Sequence, residues 1–400
     1  MKILMVNKFL HPNGGSETYI FKLGEELIRQ GHEVQYFGME HEKRVVGNHA
    51  EVYTSNMDFH TGKLQKLLYP FKIVYSTESY RKILQVLEDF QPDVVHVNNF
   101  NFQLTPSIIY AVVKYRKEKK KKVSLVYTAH DSQLVCPNHL MQNPVTKERC
   151  DVCLSKGVIQ CTKRKCIHGS MVKSLLGTIE ATIYKCLKSY RHFDAVICPS
   201  QFLKEKLDSD AVLREKTLVL RNFVEVDKSE GKLEKENYIL YFGRYSEEKG
   251  IKTLLQVCKN LPQIQFHFAG SGPLEEEIKK ISNIKLHGFL SGKQLTDEIR
   301  KAKLVVFPSE CYENCPFTVM EAQLCETPVI ASNLGGIPEL VKVDSTGELF
   351  QAGNVEELTE KIKELWNQPK KIVQYTVNCK QVKFDSVSEY VGKILEIYKK

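Results

Sequence analysis

No apolar run in this 400-residue chain approaches the roughly 18 residues that a membrane-crossing helix needs. The start, Met1-Lys2-Ile3-Leu4-Met5-Val6-Asn7, lacks the longer apolar stretch and small-residue cleavage site of a secretory leader and reads as a buried first strand. Together these absences predict a cytoplasmic protein whose membrane contact can only be peripheral. Basic residues interleaved with aromatics are also missing, which argues against a nucleic-acid surface. With 42% hydrophobic and 26% charged residues the chain is neither disordered nor fibrous. Its length suffices for two cores of roughly 150 to 200 residues each.

Positive charge is uneven. Residues 1–222 hold 33 Lys and Arg against 22 Asp and Glu, whereas residues 223–400 hold 24 against 26. The two halves are therefore expected to meet different partners. The densest basic run, Lys114, Arg116, Lys117 and Lys119 to Lys122, closes an apolar helical stretch. It reads either as a solvated helix end or as part of a basic face toward anionic lipid headgroups, where each cation contributes about 1 kcal/mol.

Short apolar runs alternate with helical periodicity, which is βαβ grammar. Strands are predicted at Ile3 to Asn7, Val34 to Phe37, Asp93 to Val97, Ser124 to Thr128 and Ala195 to Pro199. After a polar linker, Glu225 to Asn237, the grammar restarts with strands at Tyr238 to Phe242, Gln265 to Ala269, Ile284 to Gly288, Leu304 to Phe307 and Pro328 to Ser332. The fold class is α/β, with two doubly wound Rossmann-like domains expected to face each other across a cleft. In such sheets ligands bind beyond the carboxyl ends of the strands, so the residues that follow each strand carry the functional reading.

After the first strand comes His11-Pro12-Asn13-Gly14-Gly15-Ser16-Glu17, a glycine turn opening a helix. Backbone amides there can approach a diphosphate, although a plain strand-to-helix turn explains the same letters. In the second half Phe242-Gly243-Arg244-Tyr245-Ser246-Glu247-Glu248-Lys249-Gly250 puts two cations before a helix, again suited to a diphosphate. Most specific is the segment Pro308 to Ala322. Its carboxylates Glu313 and Glu321 are eight positions apart, and Pro316 is expected to leave Glu313 in a loop and Glu321 on the following helix. A carboxylate suits the two hydroxyls of a ribose, and amides of residues 315–318 suit sugar hydroxyls or a phosphate.

These segments, with Tyr127-Thr128-Ala129-His130-Asp131, Pro199-Ser200, Asn222 and Ala269-Gly270-Ser271-Gly272-Pro273, resemble family 4 of the retaining glycosyltransferases in order and spacing over essentially the whole chain. The resemblance implies the GT-B fold, with an acceptor-binding domain 1–222, a nucleotide-sugar domain 223–385, and a C-terminal helix in 386–400 that returns to the first domain. It implies that Arg244 and Lys249 bind the donor diphosphate, with Gly15, Gly272, Phe317 and Thr318 around the donor. Glu321 would take the ribose and Glu313 the transferred sugar, beside His130. Catalysis needs no metal in this family, so Asp208-Ser209-Asp210 is expected to mark a helix end. Cys315-Pro316 stands where many members have Phe-Gly, and Phe223 follows Asn222 where Gly is usual.

Five of the twelve cysteines, Cys136, Cys150, Cys153, Cys161 and Cys166, crowd an irregular insertion spanning 136–168. In a reducing compartment disulfides are disfavoured. Cys150-x2-Cys153 followed by Cys161-x4-Cys166 approaches structural zinc spacing, with Cys136, His139 and His168 leaving the ligand set open and unligated thiols as the plain alternative. The segment Met171 to Arg191 is a basic amphipathic helix, for which core packing is the expected role. The function expected is transfer of a sugar from a UDP- or GDP-sugar to a lipid-linked or oligosaccharide acceptor in cell-surface polysaccharide biosynthesis. The rivals are a nucleotide-sugar epimerase on the same fold and a zinc-stabilised sugar-binding scaffold.

Overall fold

The structure is a computed structural model and describes residues 1–56, 73–227 and 234–400; of the linker expected at 225–237, residues 228–233 lie outside the described residues. The chain divides into two compact units, Met1–Arg221 with Val387–Lys400, and Asn222–Ser386.

In the first unit the elements run β1 (Lys2–Val6), α1 (Gly15–Arg29), β2 (Glu33–Phe37), α2 (Thr77–Phe90), β3 (Val94–Val97), α3 (Ser107–Lys119), β4 (Ser124–Thr128), α4 (Met171–Cys186), β5 (Ala195–Cys198), α5 (Gln201–Leu207) and β6 (Thr217–Val219). All six strands are parallel, in the order β2-β1-β3-β4-β5-β6. The central strands β3, β4 and β5 are buried along their whole length, which is why they read as unbroken apolar runs.

The second unit repeats the plan with β7 (Tyr238–Arg244), α6 (Ile251–Asn260), β8 (Gln265–Ser271), β9 (Ile284–Gly288), α7 (Gly292–Lys301), β10 (Leu304–Phe307), α8 (Phe317–Leu324), β11 (Val329–Ser332), β12 (Gly347–Phe350), α9 (Val355–Trp366) and α10 (Pro369–Cys379). Its parallel sheet is ordered β12-β11-β10-β7-β8-β9. Asp208 ends α5 with its carboxylate accepting from Lys204 Nζ and Thr217 Oγ1, and Asp210 caps the next short helix by accepting from Val212 N, so both carboxylates of this Asp-x-Asp are occupied locally.

The last helix, α11 (Val387–Tyr398), belongs to the first unit. Tyr390 Oη meets Tyr19 Oη at 2.8 Å, and Tyr398 Oη meets His96 Nδ1 at 2.7 Å. His96 Nε2 and Tyr19 Oη both reach Thr128 Oγ1, so one buried chain of hydrogen bonds runs from α11 through α1 and β3 to β4.

Helix α4 overturns the packing expected of it. Met171, Val172, Leu175, Ile179 and Ile183 on α4, and Leu187 just after it, are 37–68% exposed, while Ser174, Gly177, Thr178 and Tyr184 are buried. Small residues let the backbone approach closely: Gly177 lies against Ile167 and Pro137. Amphipathic periodicity marks two faces but does not say which faces inward, and here the small, polar face does.

The basic run before β4 is largely a helix end. Arg116 donates to Val123 O and pairs with Asp194, and Lys121 donates to Gln91 O and pairs with Asp93.

Candidate active site

Strand order reverses once in each sheet, between β1 and β3 and between β7 and β10. At such a switch point the connections diverge to opposite faces and leave a crevice at the carboxyl ends of the two strands. Both crevices are floored by polar side chains.

In the second unit β7 ends in Gly243 and Arg244, paired in register with Gly270 and Ser271 of β8. Arg244 is exposed, and Gly272 follows directly on the neighbouring strand. The chain then makes a short turn at Glu247–Lys249 and enters α6 through Gly250. Gly250 has φ +73°, and a Cβ there would stand 1.8 Å from Pro308 O, so only glycine lets the loop after β7 lie on the loop after β10. Glu310 N donates to Glu248 O at 2.9 Å, and Thr253 Oγ1 donates to Glu310 Oε1 at 2.6 Å, sewing the two loops together.

Across that seam Lys249 Nζ meets Glu313 Oε1 at 2.5 Å, and Ser309 Oγ donates to the same oxygen at 2.9 Å. Burial alone would lower the lysine pKa, but Glu313 beside it overrides that and holds Lys249 charged. Glu313 is positioned from behind as well. Gly336 N donates to Glu313 O at 2.7 Å, and Gly335, at φ +62°, passes so close that a Cβ would lie 2.4 Å from that carbonyl.

Beyond Glu313 the chain turns at Cys315-Pro316 into α8, with Pro316 as its cap. Proline has no N–H, so of the amides expected at 315–318 the helix start offers those of Phe317 and Thr318 but none at 316. Glu321 sits half-buried on α8, in the same segment as Glu313.

In the first unit the glycine turn leaves Gly14 and Gly15 exposed at the start of α1. Here too the switch-point loops are laced by side chains. Asn7, following β1, donates to Glu17 Oε1 at 2.9 Å and accepts from Asn99 N at 3.0 Å, and Asn99 Nδ2 donates to Ser16 Oγ at 2.9 Å. Glu17 is buried and occupies the first turn of α1, so this helix start already carries a carboxylate.

His130 follows β4, with Nε2 2.9 Å from Asn98 Oδ1 and its ring edge-on to Tyr19. Burial depresses its pKa to about 4, so the imidazole is neutral near pH 7. Asp131 beside it is pushed up to about 6 by burial. Asn98 and Asn99 are given no role by the sequence motifs, and Asn7 is read only as a strand end, yet each directly follows a switch-point strand, which is the signal that finds them.

Residues 13–228 match the family described as "Glycosyltransferase Family 4", and residues 223–382 that described as "Glycosyl transferases group 1". The chain belongs to glycosyltransferase family 4. This glycosyltransferase is 26% identical over 337 residues to an uncharacterised 41.2 kDa protein in the cps region of Klebsiella pneumoniae, covering 82% of each chain. An uncharacterised glycosyltransferase of Methanocaldococcus jannaschii is 30% identical over 209 residues, a match that takes in 50% of this chain and 57% of that protein. Among solved structures, sucrose-phosphate synthase from Thermosynechococcus elongatus superposes with a TM-score of 0.69 at 16% identity, covering 100% of this chain and 98% of that one. HepE of Anabaena, solved with UDP and glucose, gives 0.66 at 19% identity, covering 100% and 99%. The fold is GT-B.

The glycosyltransferase also gathers its insertion cysteines. Cys136, Cys150, Cys153, Cys161 and Cys166 line one small pocket with Pro137 and Met141. Burial pushes the Cys153 thiol up to about 12 and Cys136 to about 11. Cys150, Cys153, Cys161 and Cys166, the four thiols of the expected zinc spacing, thus converge on one pocket together with Cys136.

Proposed function

We propose that this glycosyltransferase moves a hexose from a nucleotide-diphosphate donor, with retention, onto a lipid-linked saccharide of a cell-surface polysaccharide. The observation that carries the donor half is the Lys249–Glu313 pair at the switch point of the second unit, a cation held charged beside a carboxylate where the sheet opens. Lys249 and Arg244 would face the diphosphate, Glu313 the transferred sugar and Glu321 the ribose, with the amides of Phe317 and Thr318 at a helix start. Gly15, Gly272 and His130 complete the set carried over from the family. HepE, a GT-B neighbour, was solved with UDP-glucose, which supports a nucleotide-sugar donor. No side chain in this scheme calls for a catalytic metal, and zinc in the insertion would be structural. Titrating a panel of nucleotide sugars by calorimetry tests the reading. Glu321→Gln is expected to weaken the binding donor about tenfold or more with unchanged folding, because a charged hydrogen bond to a ribose hydroxyl contributes about 1.5–3 kcal/mol. Unchanged affinity would remove Glu321 from the site, and conversion of free donor without acceptor would favour an epimerase.

The acceptor half rests on α4. Among the described residues no helix is long and apolar enough to cross a membrane. The exposed row Val172, Leu175, Ile179, Ile183 and Leu187 is accompanied by Lys173, Lys185, Lys188 and Arg191, the composition of a helix that lies in a membrane interface with anionic lipid. Two relatives are proteins of the cps region of Klebsiella pneumoniae, which supports a polysaccharide setting. Leu175→Glu with Ile179→Glu is expected to abolish cosedimentation with phosphatidylglycerol vesicles and leave donor binding intact. Equal sedimentation of the double variant would count against α4 as the contact.

A further inference from the structure

His267 of β8, His287 of the edge strand β9 and Glu298 of α7 converge. His267 Nδ1 lies 2.6 Å from Glu298 Oε1, and His287 Nε2 lies 3.2 Å from the same oxygen. One donor atom from each residue falls within 4.8 Å of the other two. Two of the three are fixed from behind. The His267 ring stacks on Tyr238 with centroids 3.7 Å apart, and Tyr238 Oη donates to the backbone carbonyl of Glu298 at 2.7 Å. The third is unsatisfied: His287 Nε2 is buried, and its approach to Glu298 is off the line of a hydrogen bond. A buried polar atom without a partner costs about 1–3 kcal/mol, and a cation that takes the nitrogen lone pair removes that cost.

We infer that His267, His287 and Glu298 form a binding site for one divalent transition-metal ion of the zinc, cobalt or nickel kind. Two imidazole nitrogens and one carboxylate oxygen select such borderline ions over magnesium or calcium, which prefer all-oxygen sets. Metal–nitrogen and metal–oxygen bonds of about 2.0–2.2 Å place ligand atoms roughly 3–3.5 Å apart, so the His287–Glu298 pair at 3.2 Å already has that spacing, while the His267–Glu298 pair at 2.6 Å opens slightly as the ion enters. Binding displaces the proton shared by His267 and Glu298 and leaves outer positions to water. The ion would staple the edge strand β9 and helix α7 to β8, a structural role that involves no residue of the donor loops and so stands or falls apart from the proposed transfer reaction.

Cobalt titration of the full chain, followed by visible absorption, tests the site. One saturating equivalent is expected with d–d bands but no intense near-ultraviolet thiolate band, accompanied by a rise in Tm. The thiolate band would report binding at the insertion cysteines instead, so Cys150→Ser with Cys153→Ser is expected to keep the thiolate-free signal. His287→Gln, on the rim of the cluster, is expected to lose both that signal and the Tm rise while its circular dichroism stays that of the parent chain. Absence of saturable thiolate-free binding in the parent, or binding undiminished in His287→Gln, overturns the inference and leaves the cluster as an ion-pair network.

Discussion

Lys249→Met is expected to lower turnover about 10²- to 10³-fold, the usual cost of removing one preorganised charge from the place where negative charge develops. In the reaction proposed here the departing nucleotide diphosphate gathers that charge, and Lys249 is the cation already held at the switch point, 2.5 Å from Glu313. The same substitution has a second consequence. It leaves Glu313, whose side chain is only 15% exposed, with Ser309 but without its cation, and an unpaired, largely buried carboxylate destabilises the fold. Activity could then fall merely because less protein is folded. Turnover is therefore read per folded protein. Adding Glu313→Gln tests the stability half alone, since a neutral amide beside the introduced thioether removes the stranded charge, and the double variant is expected to recover thermal stability close to that of the parent. Its turnover carries no information about Lys249, because Glu313 itself faces the transferred sugar in the proposed site. Parent-like turnover per folded protein in Lys249→Met would remove Lys249 from the mechanism.

Legibility in the sequence follows burial. Strands β3, β4, β5, β10 and β11 are buried at every position, and each reads as an apolar run of the right length. The sequence reading does not contain β6 and β12, the outermost strands of their sheets on one side. β6 has three residues, none of them buried, and β12 opens on Gly347-Glu348, so neither carries the pattern of a covered strand. Glu348 is nevertheless buried, because Tyr375 Oη and Lys371 Nζ reach its carboxylate from α10, a contact that no local periodicity encodes.

The candidate site divides in the same way. Its residue types stand out because they follow strands, but Lys249 and Glu313 are 64 positions apart, and only the order β10-β7 makes their loops neighbours. His267, His287 and Glu298 meet for the same reason, through the pairing of β8 with β9 and the return of α7. For α4 the period was readable and its sense was not: Ser174, Gly177 and Thr178 face inward because close backbone approach outweighs the burial of larger side chains there. The cysteine spacing is likewise explicit in the sequence, whereas the convergence of the thiols on one pocket depends on how the two short helices carrying Cys153 and Cys161 pack.

His96 gives the other large expected effect, on stability rather than on turnover. Its ring is fully buried between Tyr398 of α11 and Thr128 of β4, and burial depresses its pKa to about 3, with the neighbouring His130 adding to the shift. A histidine that is harder to protonate when folded takes up its proton on unfolding. Its contribution is therefore complete above about pH 6.5 and is lost as pH falls toward about 3, at about 1.4 kcal/mol per pH unit. Asp131 works in the opposite direction, since burial raises its pKa to about 6 and its folded form gains a proton first on acidification. The total pH curve of the chain mixes these contributions, so the informative quantity is the difference between the parent and His96→Gln. Urea unfolding at pH 7.5 and pH 5.0 is expected to show the parent more stable than the variant at the higher pH, with the gap narrowing by about 2 kcal/mol at the lower one. A gap that stays constant would mean that His96 keeps the same protonation state folded and unfolded. The hydrogen bonds from α11 through Tyr19 and Thr128 would then hold the helix without any dependence on that ring's charge.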